Sequence, residues 1–359
     1  MPRVVGIDPG TMSFDFFGLD GDDIILDTSI PTKQIASDPE SVIGLLKQAD
    51  PELILGPSGY GIKLKGIAEI TPEDLFLMSL VKNGDKKSIL GMRRFIETLK
   101  KHNLPVCFIP GVIHLPTVPS YRKINRIDMG TPDKLCCCAL AIRDQAIRRN
   151  IDYDQTSFIS LEIGFAHTAA IAVDAGKVVD GIGGTSGGIG FLSMGAMDAE
   201  LAYLLAGFYK EFMTSRGASF LAGGGIGSTS SIMPKDLATH DDARHALIEG
   251  AVKNVLALMS SVTPEEVLLS GRLSGIPKIR EELTERLERF SSVRMLKGFP
   301  GAVVAKESAQ GAALIAEGLL HGTYADIVKV MGIGESRGTV LDYVPQDVAN
   351  LSPVARFMA

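Results

Sequence analysis

The 359-residue sequence predicts two mixed α/β domains, each a sheet with helices packed on it. Three observations carry the prediction. An apolar three-strand meander opens the chain, and a second begins near residue 157. The two are in register, because Glu162, Gly164 and Asp174 each stand 154 positions after Asp8, Gly10 and Asp20. Alternating helical and strand patterns follow each meander, so the chain reads as an internal duplication.

Along the first unit, Arg3–Asp8 is an apolar strand that breaks into Asp-Pro-Gly-Thr. Ser13–Leu19 is a Phe-rich strand, and Asp23–Thr28 follows an Asp20-Gly21-Asp22 turn. A helical stretch near 39–48 leads to "PELILGPSGYG", a buried strand ending in a glycine loop. Residues 86–103 carry apolar positions at helical spacing with a basic polar face, and "LPVCFIPG" is a further strand. At 130–149 a helix is well signalled: Thr131 suits the N-cap, Pro132 the first helical position, Asp133 the positive end and three arginines the last turns. The polar "NIDYDQ" then marks a boundary. Residues 157–163, "HTAAIAVD" and "KVVDGI" form the second meander; helices are expected at 197–212, 240–262, 276–290 and 306–320, with the strand "EEVLLSG" between them. The expected division is 1–150, 151–322 and an extension, 323–359, that carries no motif.

Composition narrows the function. Hydrophobic residues make up 45%, charged residues 22%, and 39 glycines accompany no tryptophan, as in a loop-rich α/β protein. A net charge of −6 argues against a nucleic-acid partner, while still allowing a small anionic ligand held by local charge. No signal-peptide pattern opens the chain, and uncharged stretches such as 217–234 are too rich in Gly and Ser for a membrane helix, so a cytoplasmic protein with no membrane partner is expected. Cys107 and the run Cys136-Cys137-Cys138 fit a reducing compartment and ordinary packing, since adjacent thiols on a helix converge poorly on one metal. No GxxxxGK[ST] is present, the glycine-rich 181–190 lacks GxGxxG, and His240 and His245, five apart, make no metal pair.

Three loops could carry chemistry. Asp8, Gly10 and Thr11 form either a plain hairpin turn or a loop whose backbone N–H groups surround a phosphate; Glu162 and Gly164 pose the same choice. An acid at either strand end could hold a Mg²⁺ that bridges phosphates. The third loop, in "VLLSGRLSGIPKIREEL" (267–283), places Gly271, Arg272 and Gly275 between a buried strand and a helix, either as an ordinary connection or as a flat surface for a purine.

In this order and spacing the three pieces resemble the superfamily of acetate and sugar kinases, heat-shock chaperones and actin. "GIDPGT" matches its phosphate-1 loop, "LEIGFAHT" its phosphate-2 loop and "LLSGRLSG" its adenosine motif, and helices 132–149 and 306–320 fall where its two connecting helices belong. Within the superfamily the sequence looks most like archaeal proteins described as predicted butyrate kinases. The resemblance spans roughly residues 3–322 and implies two ribonuclease-H-like domains around a nucleotide cleft, with ATP and Mg²⁺ as cofactors. It implies Asp8 and Glu162 as catalytic residues and Mg²⁺ ligands, and Gly10, Thr11, Gly164, His167, Gly271, Arg272 and Gly275 as nucleotide contacts. Two departures stand out: Phe165 and Ala166 replace glycines of the phosphate-2 loop, and Ser270-Gly271 replaces a Gly-Gly pair.

For the acceptor, the basic segment 121–134 offers Arg122, Lys123, Arg126 and Lys134. Arg126 is the preferred partner for a carboxylate or a transferring phosphoryl group; Arg122 and Lys123 read as a solvated loop. Asp128 reads either as a general base or as an ion-pair partner, and His167 either as a phosphoryl donor or as a satisfied strand histidine. Gly183, Gly184, Thr185 and Ser186 are candidates for lining the substrate pocket. The expected activity is ATP-dependent phosphorylation of a small carboxylic acid to an acyl phosphate. The alternatives are a sugar or polyol kinase, or an ATP-driven switch. A homodimer is among the assemblies left open.

Overall fold

The computed structural model describes residues 2–81, 90–205, 207, 209–224 and 232–344. The start of the expected 86–103 helix, part of the 217–234 stretch and the end of the C-terminal extension lie outside the described residues.

Two mixed sheets form the frame. The first contains β1 (Arg3–Pro9), β2 (Ser13–Asp20), β3 (Asp23–Pro31), β4 (Leu53–Leu55), β5 (Lys65–Gly66) and β6 (Val106–Phe108), in the order β3-β2-β1-β4-β6-β5. The second contains β7 (Phe158–Ile163), β8 (Thr168–Asp174), β9 (Lys177–Ile182), β10 (Glu266–Ser270) and β11 (Ser292–Met295), in the order β9-β8-β7-β10-β11. Apart from the edge strand β5, the sheets share one topology: an antiparallel meander, then two strands parallel to its first member. The 154-residue register holds in detail. A bulge falls after Gly18 in one meander and after Ala172 in the other, and the turns place Gly21 and Ala175 at positive φ.

The helices Pro132–Arg149 and Glu307–Leu319 lie between the sheets, in the sequence first sheet, helix 307–319, helix 132–149, second sheet. With both its faces covered, β1 is a continuous apolar run. Two glycines allow this close stacking. A Cβ on Gly6 would lie 2.3 Å from the Ala309 carbonyl oxygen, and one on Gly311 would lie 1.9 Å from that of Cys136. Helix 307–319 therefore packs directly on β1, and its side chains join the core of the first sheet. A second core fills the other face of the second sheet under helices Asp241–Leu258 and Pro277–Leu287.

Local readings need two corrections. Thr131 is the N-cap residue, but its hydroxyl bonds the Asp133 carboxylate rather than a helical N–H. The helix expected at 197–212 is shorter, Ala199–Leu205, with a separate 3₁₀ turn at Lys210–Thr214. The extension contains a helix, Ala325–Val330, packed on the first core. Among the described residues no helix is long and apolar enough to cross a membrane.

Candidate active site

Strands β1, β4 and β6 run parallel, as do β7, β10 and β11, so each set ends on a single edge of its sheet. Ligands of open α/β sheets bind outside such carboxyl ends. At the end of β1, Asp8 faces Asp15 across the hairpin, and both are buried. Lys306, at the N-cap of helix 307–319, places its Nζ 3.2 Å from Asp8 Oδ2 and 2.6 Å from Asp15 Oδ2. Asp15 also accepts hydrogen bonds from Ser13 and Ser29. Burial raises the Asp8 pKa above the ordinary carboxylate value, with Lys306 opposing it only in part. The turn is fixed by Thr32 Oγ1 donating to the Gly10 carbonyl, while Thr11 is exposed.

The second hairpin repeats the pattern. Glu162 ends β7 and meets Lys134 Nζ at 2.6 Å; Lys134 also reaches Asp133 Oδ2 at 2.5 Å. Burial pulls the ammonium of Lys134 down in pKa, but Asp133 and Glu162 outweigh it and hold Lys134 well above its ordinary value. Asp133 is raised by burial and lowered more by Lys134 and Thr131, so it stays an acceptor; burial leaves Glu162 raised. The pairing is crossed. The helix that closes the first unit sends Lys134 to the hairpin acid of the second, and the helix that closes the second sends Lys306 to the hairpin acid of the first. Beside these lysines, Asp133 and Glu307 add a second, half-buried acid at each helix N-terminus; desolvation raises Glu307.

Gly164 N–H closes a tight turn onto the His167 carbonyl at 2.9 Å. Phe165 turns aside to pack edge-on against Phe191, with ring centroids 5.4 Å apart. That packing accommodates the replacement of a phosphate-2 glycine. Gly271 adopts φ +85°, and a Cβ there would lie 2.8 Å from Glu162 Cγ, so this glycine leaves room for the acid. Arg272 then spans the cleft to Ser13 Oγ at 3.5 Å.

All three loops open on one cavity of about 240 Å³, lined by Asp8, Gly10, Thr11, Glu162, Gly164, His167, Gly271 and Arg272 together with Lys134 and Lys306. A neighbouring cavity of about 440 Å³ continues past Gly271, Arg272 and Gly275 toward Phe299 and Val303. His167 is buried, which lowers its pKa against the influence of Asp128, so it is a neutral donor or acceptor.

Other candidates stand elsewhere. Arg126 is exposed and donates to the Ser186 carbonyl at 3.4 Å, outside these cavities. Asp128 is buried as an anchor: its carboxylate accepts from Gly130 N–H, Thr185 N–H and Thr185 Oγ1, and its carbonyl accepts from Ser186 Oγ. That anchoring holds Gly183, Gly184, Thr185 and Ser186 behind His167, where a Cβ on Gly184 would lie 2.5 Å from His167 Cβ; none of the four lines these cavities. Arg122 and Lys123 are not solvated. Arg122 donates to the Val179 carbonyl at 2.7 Å, and buried Lys123 donates to that of Leu115 at 2.8 Å. The four cysteines are buried and unbridged, but Cys137 is more than packing, because it lines the cavity with its thiol 3.5 Å from Glu162. Asp15, Asp133, Lys306 and Glu307 were not singled out as site residues. Extending the duplication to the connecting helices would have exposed Lys306 as the counterpart of Lys134.

Among the described residues no three His, Cys, Asp or Glu side chains converge as a ready metal site. Mg²⁺ needs fewer, since it takes one or two carboxylates and completes its shell with phosphates and water. Buried Asp8 and half-buried Glu162, oxygen donors opening on one cavity, fit that requirement.

A family model described as a protein of unknown function, DUF1464, matches residues 6–346, and the chain belongs to that family. No curated protein matches the sequence. Acetate kinase from Porphyromonas gingivalis matches with a TM-score of 0.59 at 12% identity, over 92% of this chain and 100% of that one. Acetate kinase from Entamoeba histolytica matches with a TM-score of 0.56 at 13% identity, over 80% and 86%. At such identities the likeness establishes the fold: two mixed sheets with flanking helices in the two-domain arrangement of these kinases.

Proposed function

For this member of the DUF1464 family we propose ATP-dependent phosphoryl transfer to a small-molecule acceptor. The carrying observation is that both hairpin acids, their crossed lysines and the Gly271-Arg272 loop open on a single cavity. In this reading residues 1–150 and 151–322 are the halves that close on the nucleotide. Purine and ribose lie along Gly271, Arg272 and Gly275, and the phosphates run toward Asp8 and Glu162. Phosphoryl transfer demands positioning and charge compensation more than covalent participation by the protein. Lys134 and Lys306 supply that compensation, and N–H groups of the Gly10 and Gly164 turns orient the phosphates. Asp8 and Glu162 would hold Mg²⁺, whose charge would offset that of the phosphates. Closure of the halves excludes water, which would otherwise compete as acceptor.

The carboxylic acid acceptor expected from the sequence needs a cation beside it. Arg126 stands outside the cavity, whose lining cations are Lys134, Arg272 and Lys306, each facing the phosphates in this reading. The finer likeness to archaeal butyrate kinases rests on the sequence alone. Calorimetry with a non-hydrolysable ATP analogue and Mg²⁺, followed by ADP release from ATP over a panel of small acceptors, tests the proposal. Saturable binding and acceptor-dependent ADP release support it. No binding at millimolar analogue overturns it, and slow, acceptor-independent hydrolysis would instead favour a nucleotide-driven switch.

A further inference from the structure

A second chamber, of about 140 Å³, opens off the phosphate cavity. It lies at the carboxyl ends of β1, β4 and β6 and shares Asp8, Pro9, Asp133 and Ser308 with the larger cavity. Its wall is apolar: Ile7, Leu55, Met92, Ile109, Pro132 and Cys136 line it. The Ser58 hydroxyl on that wall is already engaged, donating to the Gly56 carbonyl and accepting from Ile109 N–H. Among the described residues no lysine, arginine or histidine lines the chamber; Lys134 and Lys306 line the phosphate cavity. At ~30 Å³ per water the volume equals roughly five waters, a space for a short-chain molecule.

We propose that this chamber is the acceptor subsite and that it takes a short-chain, uncharged molecule bearing a hydroxyl group, whose proton passes to Asp133. The inference rests on the phosphotransfer reading above and names its acceptor. A carboxylate in this chamber would leave water for apolar surroundings beside Asp8 and Asp133, whose own ion pairs with Lys306 and Lys134 are already made, and among the described residues no further cation lines the wall to receive it; desolvation therefore disfavours it. A hydroxyl has no charge to desolvate and donates to a carboxylate. Asp133 is placed for this by its own packing, since it stands in the first turn of helix 132–149, at the junction of chamber and cavity, with Thr131 and Lys134 fixing its orientation. In the transfer, the acceptor oxygen forms a bond to the γ-phosphorus of a nucleoside triphosphate. The bond from that phosphorus to the β,γ-bridging oxygen breaks, its electron pair leaves on the nucleoside diphosphate, and the hydroxyl proton goes to the Asp133 carboxylate.

The test uses the full-length protein with ATP and Mg²⁺, and measures ADP release with ethanol, 1-butanol, 1,3-propanediol and glycerol against acetate, propionate and butyrate. Turnover is expected with members of the hydroxyl set and with none of the acids. Asp133→Asn is expected to lower that turnover at least 100-fold, the usual scale for a lost general base. Met92→Phe, which fills the chamber, is expected to raise KM for the acceptor at least tenfold with ATP-analogue affinity within threefold of the parent, and a cooperative thermal melt shows that each variant is folded. Turnover of the acids alone overturns the inference, as does analogue binding with no turnover in either set, or an Asp133→Asn variant that keeps more than a tenth of parental turnover. Failure to bind the analogue at all overturns the phosphotransfer reading itself and this inference with it.

Discussion

Replacing Lys306 by Met removes the single ammonium that two buried acids of the first hairpin share. Its Nζ lies 2.6 Å from Asp15 and 3.2 Å from Asp8, and the acids are 1% and 7% exposed in their side chains. At an effective dielectric of 20 these separations correspond to about 6 and about 5 kcal/mol of Coulomb attraction before desolvation is charged against them. Desolvating the ammonium consumes most of that, and breaking a buried pair on one side costs about 3–5 kcal/mol net. Lys306→Met is therefore expected to lower the unfolding free energy by about 3–5 kcal/mol at pH 7 in urea titrations. The sign of its pH dependence follows from Asp8. Burial already holds its folded pKa above the unfolded value, and loss of Lys306 raises it further. The folded variant then binds protons that its unfolded chain has released, so its deficit narrows as pH falls. Adding Asp15→Asn removes one of the two stranded charges and is expected to recover part of the loss. A deficit below about 1 kcal/mol, the scale of an exposed pair, with no narrowing in acid, would refute the reasoning.

The packing sets the outcome of four further substitutions. Arg126→Ala, at an exposed side chain outside the cavities, is expected to change stability by less than about 0.5 kcal/mol and kcat by less than twofold, whereas Asp128→Ala strands three donors and should cost about 2–3 kcal/mol in the same urea titration. Gly311→Val drives a side chain into the Cys136 carbonyl, and a loss of about 3 kcal/mol or more, read as a fall in Tm, is expected where the two connecting helices cross. His114 is buried, its Nε2 has no partner among the described residues and its Nδ1 accepts from Gly111 N–H; burial lowers its pKa to about 4 from 6.5. Its folded form binds fewer protons than the unfolded chain in that window, so stability is present above pH 6.5 and lost as pH falls toward 4, by about 3 kcal/mol. His114→Gln should flatten that part of the pH profile.

The parts of the fold that were legible are those written in local pattern. The meanders show as apolar runs punctuated by Asp-Gly, and their duplication was visible because hairpin register is set residue by residue. Helix 132–149 announced itself through Pro132 and its charged ends. Less legible were contacts between distant segments. Lys306 and Asp8 are 298 positions apart, and nothing near either residue signals the pair. Arg126 is favoured in the sequence by the chemistry of guanidinium groups, but its place before the helix leaves it exposed on the Ser186 carbonyl, whereas Lys134, inside the first turn, reaches the cavity. Asp128 and the glycine loop 183–186 read as reactive because small and acidic residues serve both catalysis and tight packing. Here they hold each other, with the loop seated behind His167.

The central claim is that two hairpins and their crossed lysines clasp a nucleotide. A crystal structure of the full-length protein with a non-hydrolysable ATP analogue and Mg²⁺ tests it most directly. The γ-phosphate is expected between the Asp8–Thr11 and Glu162–Gly164 turns, within hydrogen-bond distance of Lys134 or Lys306, with the purine beside Gly271 and Gly275. An analogue bound elsewhere on the protein, with the Lys134–Glu162 and Lys306–Asp8 pairs undisturbed around an empty cleft, would contradict it.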